Sequence, residues 1–252
     1  MKILYFTSTG NSLYIAKQFK AELLSIPQLI KENNYEIEAD KIGIVTPIYY
    51  LNTPKIVEEF LIKANLKSKY IFMIFTYGGF VLDTSRHIKN YGIDFKYVNY
   101  LKMPENFIPL SDMKKSTQSQ KELESLALDK INVIKEDVER EAIKVDKFYF
   151  TTILSYFINK VVMRKWNRAI KMQDNKFYVT DKCTLCKTCE KICPVSNISV
   201  VNKVEFKNNC EQCMGCIHAC PHVAIHHKDE KSAERYINSN ILIQDIIKSN
   251  MQ

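Results

Sequence analysis

The chain has 252 residues, enough for one large domain or for a medium domain joined to a small one. Apolar residues make up 46% and charged residues 25%, an ordinary globular balance that excludes a disordered or fibrous chain. The formal net charge of +8 admits a nucleic-acid or anionic-lipid partner as readily as plain solubility, so charge alone assigns nothing.

The opening Met-Lys-Ile-Leu-Tyr-Phe-Thr is too short an apolar run for a signal peptide. Lys2–Phe6 reads as a strand that ends in the turn Thr7-Ser8-Thr9-Gly10-Asn11-Ser12. Helical spacing follows, with Leu13, Ile15, Ala16, Phe19 and Leu23 on or near one face. Tyr35–Ile37 is a short strand candidate and Lys41–Thr46 a longer one, stopped by Pro47. Pro54 suits the first turn of a helix through Lys63. Tyr70–Thr76 is an apolar strand ending at Gly78-Gly79, followed by a helix near Val81–Asn90 and a strand at Phe95–Leu101. A long amphipathic helix then carries Leu123, Leu126, Ile131, Ile134, Val138 and Ile143. Strands alternating with helices predict an α/β fold with a mainly parallel sheet. About five strands suit the doubly wound, flavodoxin-like order 2-1-3-4-5.

Residues 146–172 read as an apolar, then basic, helix. Its Asn159, Lys160, Arg164 and Lys165 leave too short an apolar run to span a bilayer, where roughly 20 residues are needed. Core or interdomain packing is the expected role, with membrane-surface attachment as the alternative. The tail, residues 229–252, is expected to pack back as a short helix. The expectation is a cytoplasmic protein that does not span a membrane.

All eight cysteines lie between positions 183 and 220. Without a secretion signal, metal is a better reading of them than disulfides. Cys183, Cys186, Cys189 and Cys193-Pro194 form one run of the type Cys-x₂-Cys-x₂-Cys-x₃-Cys-Pro, and Cys210, Cys213, Cys216 and Cys220-Pro221 repeat it. Three closely spaced cysteines let a tight loop wrap an iron–sulfur cube, and the proline turns the chain away after the fourth. Structural zinc would instead favour two Cys-x₂-Cys pairs separated by a longer loop. This stretch resembles the bacterial two-cluster ferredoxins over about 50 residues. The resemblance implies two 4Fe–4S clusters, each completed by the other run's last cysteine. One would use Cys183, Cys186, Cys189 and Cys220. The other would use Cys210, Cys213, Cys216 and Cys193. His218, His222, His226 and His227 are then not needed as ligands, although His218 is placed to tune a cluster. Two such centres at about −2 each bring the net charge down to about +4, so no nucleic-acid partner is expected.

Thr7 to Ser12 combine hydroxyls, a glycine and a helix start, the parts of an anion site. Alone they also fit an ordinary polar helix start. The loop resembles the flavodoxin phosphate loop. That likeness directs attention to two further loops at the carboxyl ends of strands, where flavodoxins grip the isoalloxazine ring. One holds Pro47, Tyr49, Tyr50, Leu51 and Asn52, the other Thr76, Tyr77, Gly78 and Gly79. Where flavodoxin relatives often place glycine, this chain has Leu51-Asn52, and asparagine tolerates positive φ. The whole chain resembles the flavodoxin–ferredoxin fusion proteins common in anaerobes, and Met103-Pro104-Glu105-Asn106-Phe107 also looks like a segment of them.

The resemblance implies an FMN domain at 1–145, a helical linker at 146–174, a ferredoxin domain at 175–228 and the tail. It also implies a protein that passes single electrons between FMN and two clusters, and redox partner proteins as donor and acceptor. Two alternatives stay open: an FMN-dependent reductase of a small organic substrate, and a cluster-only carrier without flavin. No Gly-x-Gly-x-x-Gly run points to an integral NAD site.

Overall fold

Lys41–Pro47 and Tyr70–Tyr77 carry near-continuous apolar runs that are buried along almost their whole length. Such runs mark the middle of a parallel sheet covered on both faces. The structure, a computed structural model, describes residues 1–79, 81, 91–109, 113–145 and 174–250. Its first eight strands are β1 (Lys2–Tyr5), β2 (Glu22–Ser25), β3 (Glu36–Glu38), β4 (Lys41–Pro47), β5 (Asn65–Lys67), β6 (Tyr70–Tyr77), β7 (Phe95–Lys102) and β8 (Lys144–Val145). Six of them form one all-parallel sheet in the order β2-β1-β4-β6-β7-β8. Ranked along the chain, its first five strands give the expected 2-1-3-4-5, and the two-residue β8 is added at the edge. β3 and β5 pair separately.

Helices cover both faces. α1 (Asn11–Ala16) and α4 (Met113–Glu139) share one buried cluster through Leu13, Ile15, Ala127, Ile131, Ile134 and Val138. α2 (Ile26–Lys31) and α3 (Lys55–Lys63) share the other through Ile26, Leu29, Ile56, Val57, Phe60 and Leu61. The inward spacing on α4 is helical, but Ala127 rather than the exposed Leu126 belongs to it.

The second strand of the sheet is not at 35–37. The helical stretch expected to reach Leu23 ends at Ala16, and the chain turns into β2. Leu23 then packs on the α1 side of the sheet and Leu24 on the other. That alternation is the period of a strand, although Leu23 alone fits a helical face. Ser25 and Pro27 open α2 directly afterwards. Most of the helix expected at Val81–Asn90, and that at 146–172, lie outside the described residues. Among the described residues no helix is long and apolar enough to cross a membrane.

The cysteine-bearing part is built from short elements. These are β9 (Phe177–Val179), α5 (Thr188–Ile192), β10 (Ile198–Val200), β11 (Val204–Phe206), α6 (Gly215–His218), β12 (Ile225–His227) and α7 (Ile243–Asn250). β9 pairs antiparallel with β12, and β10 with β11. Ile192, Ile198, Ile217 and Ile225 are buried in the same cluster as Ile3 and Ile74, so one core runs from the sheet into the cysteine loops.

Candidate cofactor sites

A cavity of about 310 Å³ opens at the carboxyl ends of β1, β4 and β6. Thr7, Ser8, Thr9, Asn11 and Ser12 line it from the first loop, Pro47, Tyr49, Tyr50 and Leu51 from the second, and Thr76, Tyr77, Gly78 and Gly79 from the third. Thirteen of the fifteen residues singled out in these loops therefore meet there. Gly10 and Asn52 do not line it.

Gly10 supports the loop from behind. It caps α1 with φ 97°, and a Cβ there would stand 3.0 Å from the Cβ of Ile241. Asn52 closes a tight turn, its Oδ1 accepting the Thr53 N–H at 2.9 Å while Tyr49 and Asn52 exchange backbone hydrogen bonds. Positive φ falls not on Asn52 but on Tyr50 (53°) and Leu51 (68°). Two consecutive positive φ values are the geometry of a type I′ turn, which usually recruits asparagine and glycine. Here Tyr50 is held instead, edge-on to Phe107, with ring centres 5.2 Å apart.

The hydroxyls of the first loop are mutually braced. Thr7 Oγ1 accepts the Gly10 N–H and Thr9 Oγ1 accepts from Asn106 Nδ2, so each keeps its own hydrogen for a further acceptor. Ser8 Oγ lies 2.9 Å from Tyr49 Oη, and Ser12 Oγ lies 2.9 Å from Thr76 Oγ1. Asn11 is spent on the protein: its Nδ2 donates to the Pro104 carbonyl, and its Oδ1 accepts from Tyr236 and Asn238. Among the described residues no lysine or arginine lines the cavity, and α1 is only six residues long. A phosphate here would rest on hydroxyl and backbone N–H donors.

Two walls of the cavity were not assigned from the sequence. One is Met103–Phe107, pinned by the Met103 N–H on the Tyr77 carbonyl at 2.7 Å. The other is Gln212, Cys213 and Met214, from the second cysteine run. Three contacts seat that run on the α/β domain. Gly215 approaches the phosphate-type loop so closely that a Cβ would stand 3.3 Å from the Ser8 carbonyl oxygen. Glu211 Oε1 accepts the Ile56 N–H at the start of α3. His218 reaches the Asn106 carbonyl at 2.7 Å. Burial pushes the Glu211 carboxyl up to about 7. Burial, with Cys213 nearby, holds the Tyr49 hydroxyl well above its ordinary value.

None of the eight cysteines is in a disulfide. Cys183, Cys186, Cys189 and Cys220 line one small cavity. Cys193 falls with the other set, since it acts electrostatically on Cys210, Cys213 and Cys216. The last cysteine of each run thus sits across from its own three, and the duplication shows in its hydrogen bonds. The Asn197 N–H donates to Cys193 Sγ and the Ala224 N–H to Cys220 Sγ, each at 3.2 Å and four residues on. Burial pushes Cys189 and Cys213 up to about 12. Cys186 is held down by its hydrogen bond from Thr188. Thiols pushed up by burial become thiolates readily against the charge of a metal centre. The donor set of four thiolates per group, with N–H···S bonds around them, fits iron–sulfur cubes.

The chain was compared with known proteins. A model described as a flavodoxin domain matches residues 2–108, and one described as a 4Fe-4S binding domain matches residues 177–199. A ferredoxin of Chlorobaculum tepidum, Ferredoxin-2, is 39% identical over 51 residues, covering 17% of this chain and 82% of that protein. Among solved structures, the Trp repressor binding protein of Bacillus subtilis aligns at 17% identity and TM-score 0.29, over 42% of this chain and 84% of that one. An azoreductase of Bacillus anthracis aligns at 10% identity and TM-score 0.34, over 53% and 98%.

Proposed function

The chain belongs to the flavodoxin–ferredoxin fusions, and on that premise we propose that it passes single electrons between FMN and two 4Fe–4S clusters. The observation that carries the reading is that Cys213 stands in the wall of the cavity made by the flavodoxin-type loops. FMN supplies two-electron chemistry that can be split into single electrons, and each cluster carries one electron.

In this reading Thr7, Ser8, Thr9 and Ser12 hold the phosphate, together with backbone N–H groups of the same loop. Asn11 orients that loop and Gly10 lets it turn. Tyr49, Tyr50, Leu51, Tyr77, Gly78 and Gly79 frame the ring, with Pro47, Asn52 and Thr76 fixing the loops that present them. Cys183, Cys186, Cys189 and Cys220 hold one cluster, and Cys210, Cys213, Cys216 and Cys193 the other. The first cluster is the outward one, because Cys186 is exposed and Leu185 beside it is 38% exposed. A redox partner protein would meet that end. The domain limits fall at 145 and 174, with the ferredoxin module ending near 228, and the thiols belong to a reducing cytoplasm. A cavity of about 310 Å³ is at the low end for small-molecule sites, which favours a flavin alone over a flavin with an added organic substrate.

The test is anaerobic purification followed by assay of flavin, iron and acid-labile sulfide. The expected result is one FMN with about eight iron and about eight sulfide per chain, and FMN that is reduced when electrons are supplied to the clusters. Zinc or cystine in place of iron, or a chain that never takes up flavin, overturns the reading.

A further inference from the structure

Gln212 lies between two cysteines of the second run, yet it lines the cavity shared with Tyr49 and Gly78. It is 2% exposed. Neither its Nε2 nor its Oε1 has a hydrogen-bond partner among the described residues. A buried carboxamide left this way is unfavourable, and native proteins rarely keep one without a reason.

The duplication supplies an internal comparison. Leu185 holds the same place in the first run, two residues after Cys183 as Gln212 is two after Cys210. Both residues adopt the left-handed conformation, with φ 57° and 59°. The backbone N–H of Gln212 is used on Cys210 Sγ at 3.2 Å. The loop shape therefore belongs to the cysteine cage and does not depend on which side chain is carried. What differs is the surroundings: Leu185 is partly in solvent, and Gln212 faces the flavodoxin-type loops.

We propose that Gln212 completes the FMN site from the ferredoxin side, its carboxamide hydrogen-bonding the polar edge of the isoalloxazine ring. That edge presents carbonyl acceptors beside an N–H donor. One carboxamide offers both a donor and an acceptor, whereas the hydroxyls of the phosphate-type loop are given to the phosphate in that reading. The assignment rests on the FMN reading above. It makes the ferredoxin module part of the flavin's binding site as well as its neighbour.

The test uses the full chain with its clusters in place, kept anaerobic. Gln212→Met keeps length and volume, and Gln212→Leu installs the residue that already occupies this loop position in the first run. Leu185→Met is the control. FMN affinity is read by titration, iron and sulfide by assay, and the carbonyl stretching bands of bound FMN by vibrational spectroscopy. In both Gln212 variants we expect the FMN dissociation constant to rise about tenfold, as for the loss of one or two buried hydrogen bonds. The flavin carbonyl bands should move to higher wavenumber, with iron and sulfide unchanged and Leu185→Met like the wild type. Affinity within about twofold of wild type, with unmoved carbonyl bands, overturns the role of Gln212 while leaving FMN binding intact. A wild-type chain that takes up no FMN overturns the FMN reading itself, and this assignment with it.

Discussion

His218 and Asn106 join the two halves of the molecule through one hydrogen bond of 2.7 Å. The Nδ1 of His218 accepts the backbone N–H of Tyr236 at 3.1 Å, so Nε2 carries the ring hydrogen and donates it to the Asn106 carbonyl. Burial draws the imidazole down to about 4, so it stays neutral in this double role. The side chain thereby ties α6, the helix that carries Cys216, to the loop whose Asn106 also donates to Thr9. His218→Leu removes both bonds and leaves a buried carbonyl and a buried N–H unpaired. The expected cost is about 1–3 kcal/mol, seen as a fall of several degrees in the unfolding temperature of the cluster-loaded protein. An unchanged melting curve would show that the bond is incidental.

The crossed arrangement of cysteines makes a sharper demand. Cys220 belongs by sequence to the second run but lines the cavity of Cys183, Cys186 and Cys189. Cys220→Ser should therefore cost the cluster of the first run and spare that of the second, with iron falling from about eight to about four per chain. FMN should still bind, because the cluster next to its cavity is kept. Loss of the flavin-side cluster instead, detected as magnetic coupling to the flavin that disappears while the remote centre persists, would refute the pairing.

These relationships differ in how far the sequence exposes them. Cysteine spacing is a local property of the ligand loop, so both runs can be read directly. The order of the sheet is also legible, because Lys41–Pro47 and Tyr70–Tyr77 are apolar on both faces. β2 is not, since Leu23 fits a helix face as well as a strand, and only its pairing with Ile3 decides. The turn at Tyr50 and Leu51 is hidden for another reason. Its positive φ values sit on residues that disfavour them, while Asn52 beside them has the right chemistry and a different job. Nothing in the order of residues announces that Glu211, Gln212 and Gly215 meet α3, the flavin-type cavity and Ser8. Those contacts exist only once two distant segments are packed together.

Gly78 and Gly79 look alike in sequence but should respond differently. A Cβ on Gly78 would come within 2.5 Å of the Glu105 Cα, a backbone atom that cannot step aside. On Gly79 the nearest atom is Glu105 Oε2 at 2.8 Å, the end of a flexible side chain. Gly78→Ala should push the Tyr77 loop off the Met103–Phe107 segment, at about 1–3 kcal/mol, and weaken FMN binding. Gly79→Ala should cost less stability, because the Glu105 carboxylate can move aside. The comparison needs only melting curves and a flavin titration of each variant. Equal effects would mean that the close approach of the two loops does not control the site.

The tail sets the last test. Tyr236 Oη lies 2.6 Å from Asn11 Oδ1 and 3.0 Å from Glu124 Oε1, sharing its hydrogen between the phosphate-type loop and a buried carboxylate on α4. Ser239 and Asn240 donate to the other oxygen of Glu124. Asn238 donates its backbone N–H to the Thr9 carbonyl at 2.8 Å, while Asn250 further along reaches the Ile192 carbonyl next to Cys193. The tail is therefore bonded both to the phosphate-type loop and to α5 of the first cysteine run. Tyr236→Phe keeps the ring and deletes only the hydroxyl. It should cost about 1.5–3 kcal/mol, the range for a hydrogen bond to a charged group. Because Asn11 loses one of the two donors on its Oδ1, FMN affinity should fall as well, with iron content unchanged. A variant that melts earlier but binds FMN as tightly as the wild type would confine Tyr236 to stability and remove the tail from the flavin site.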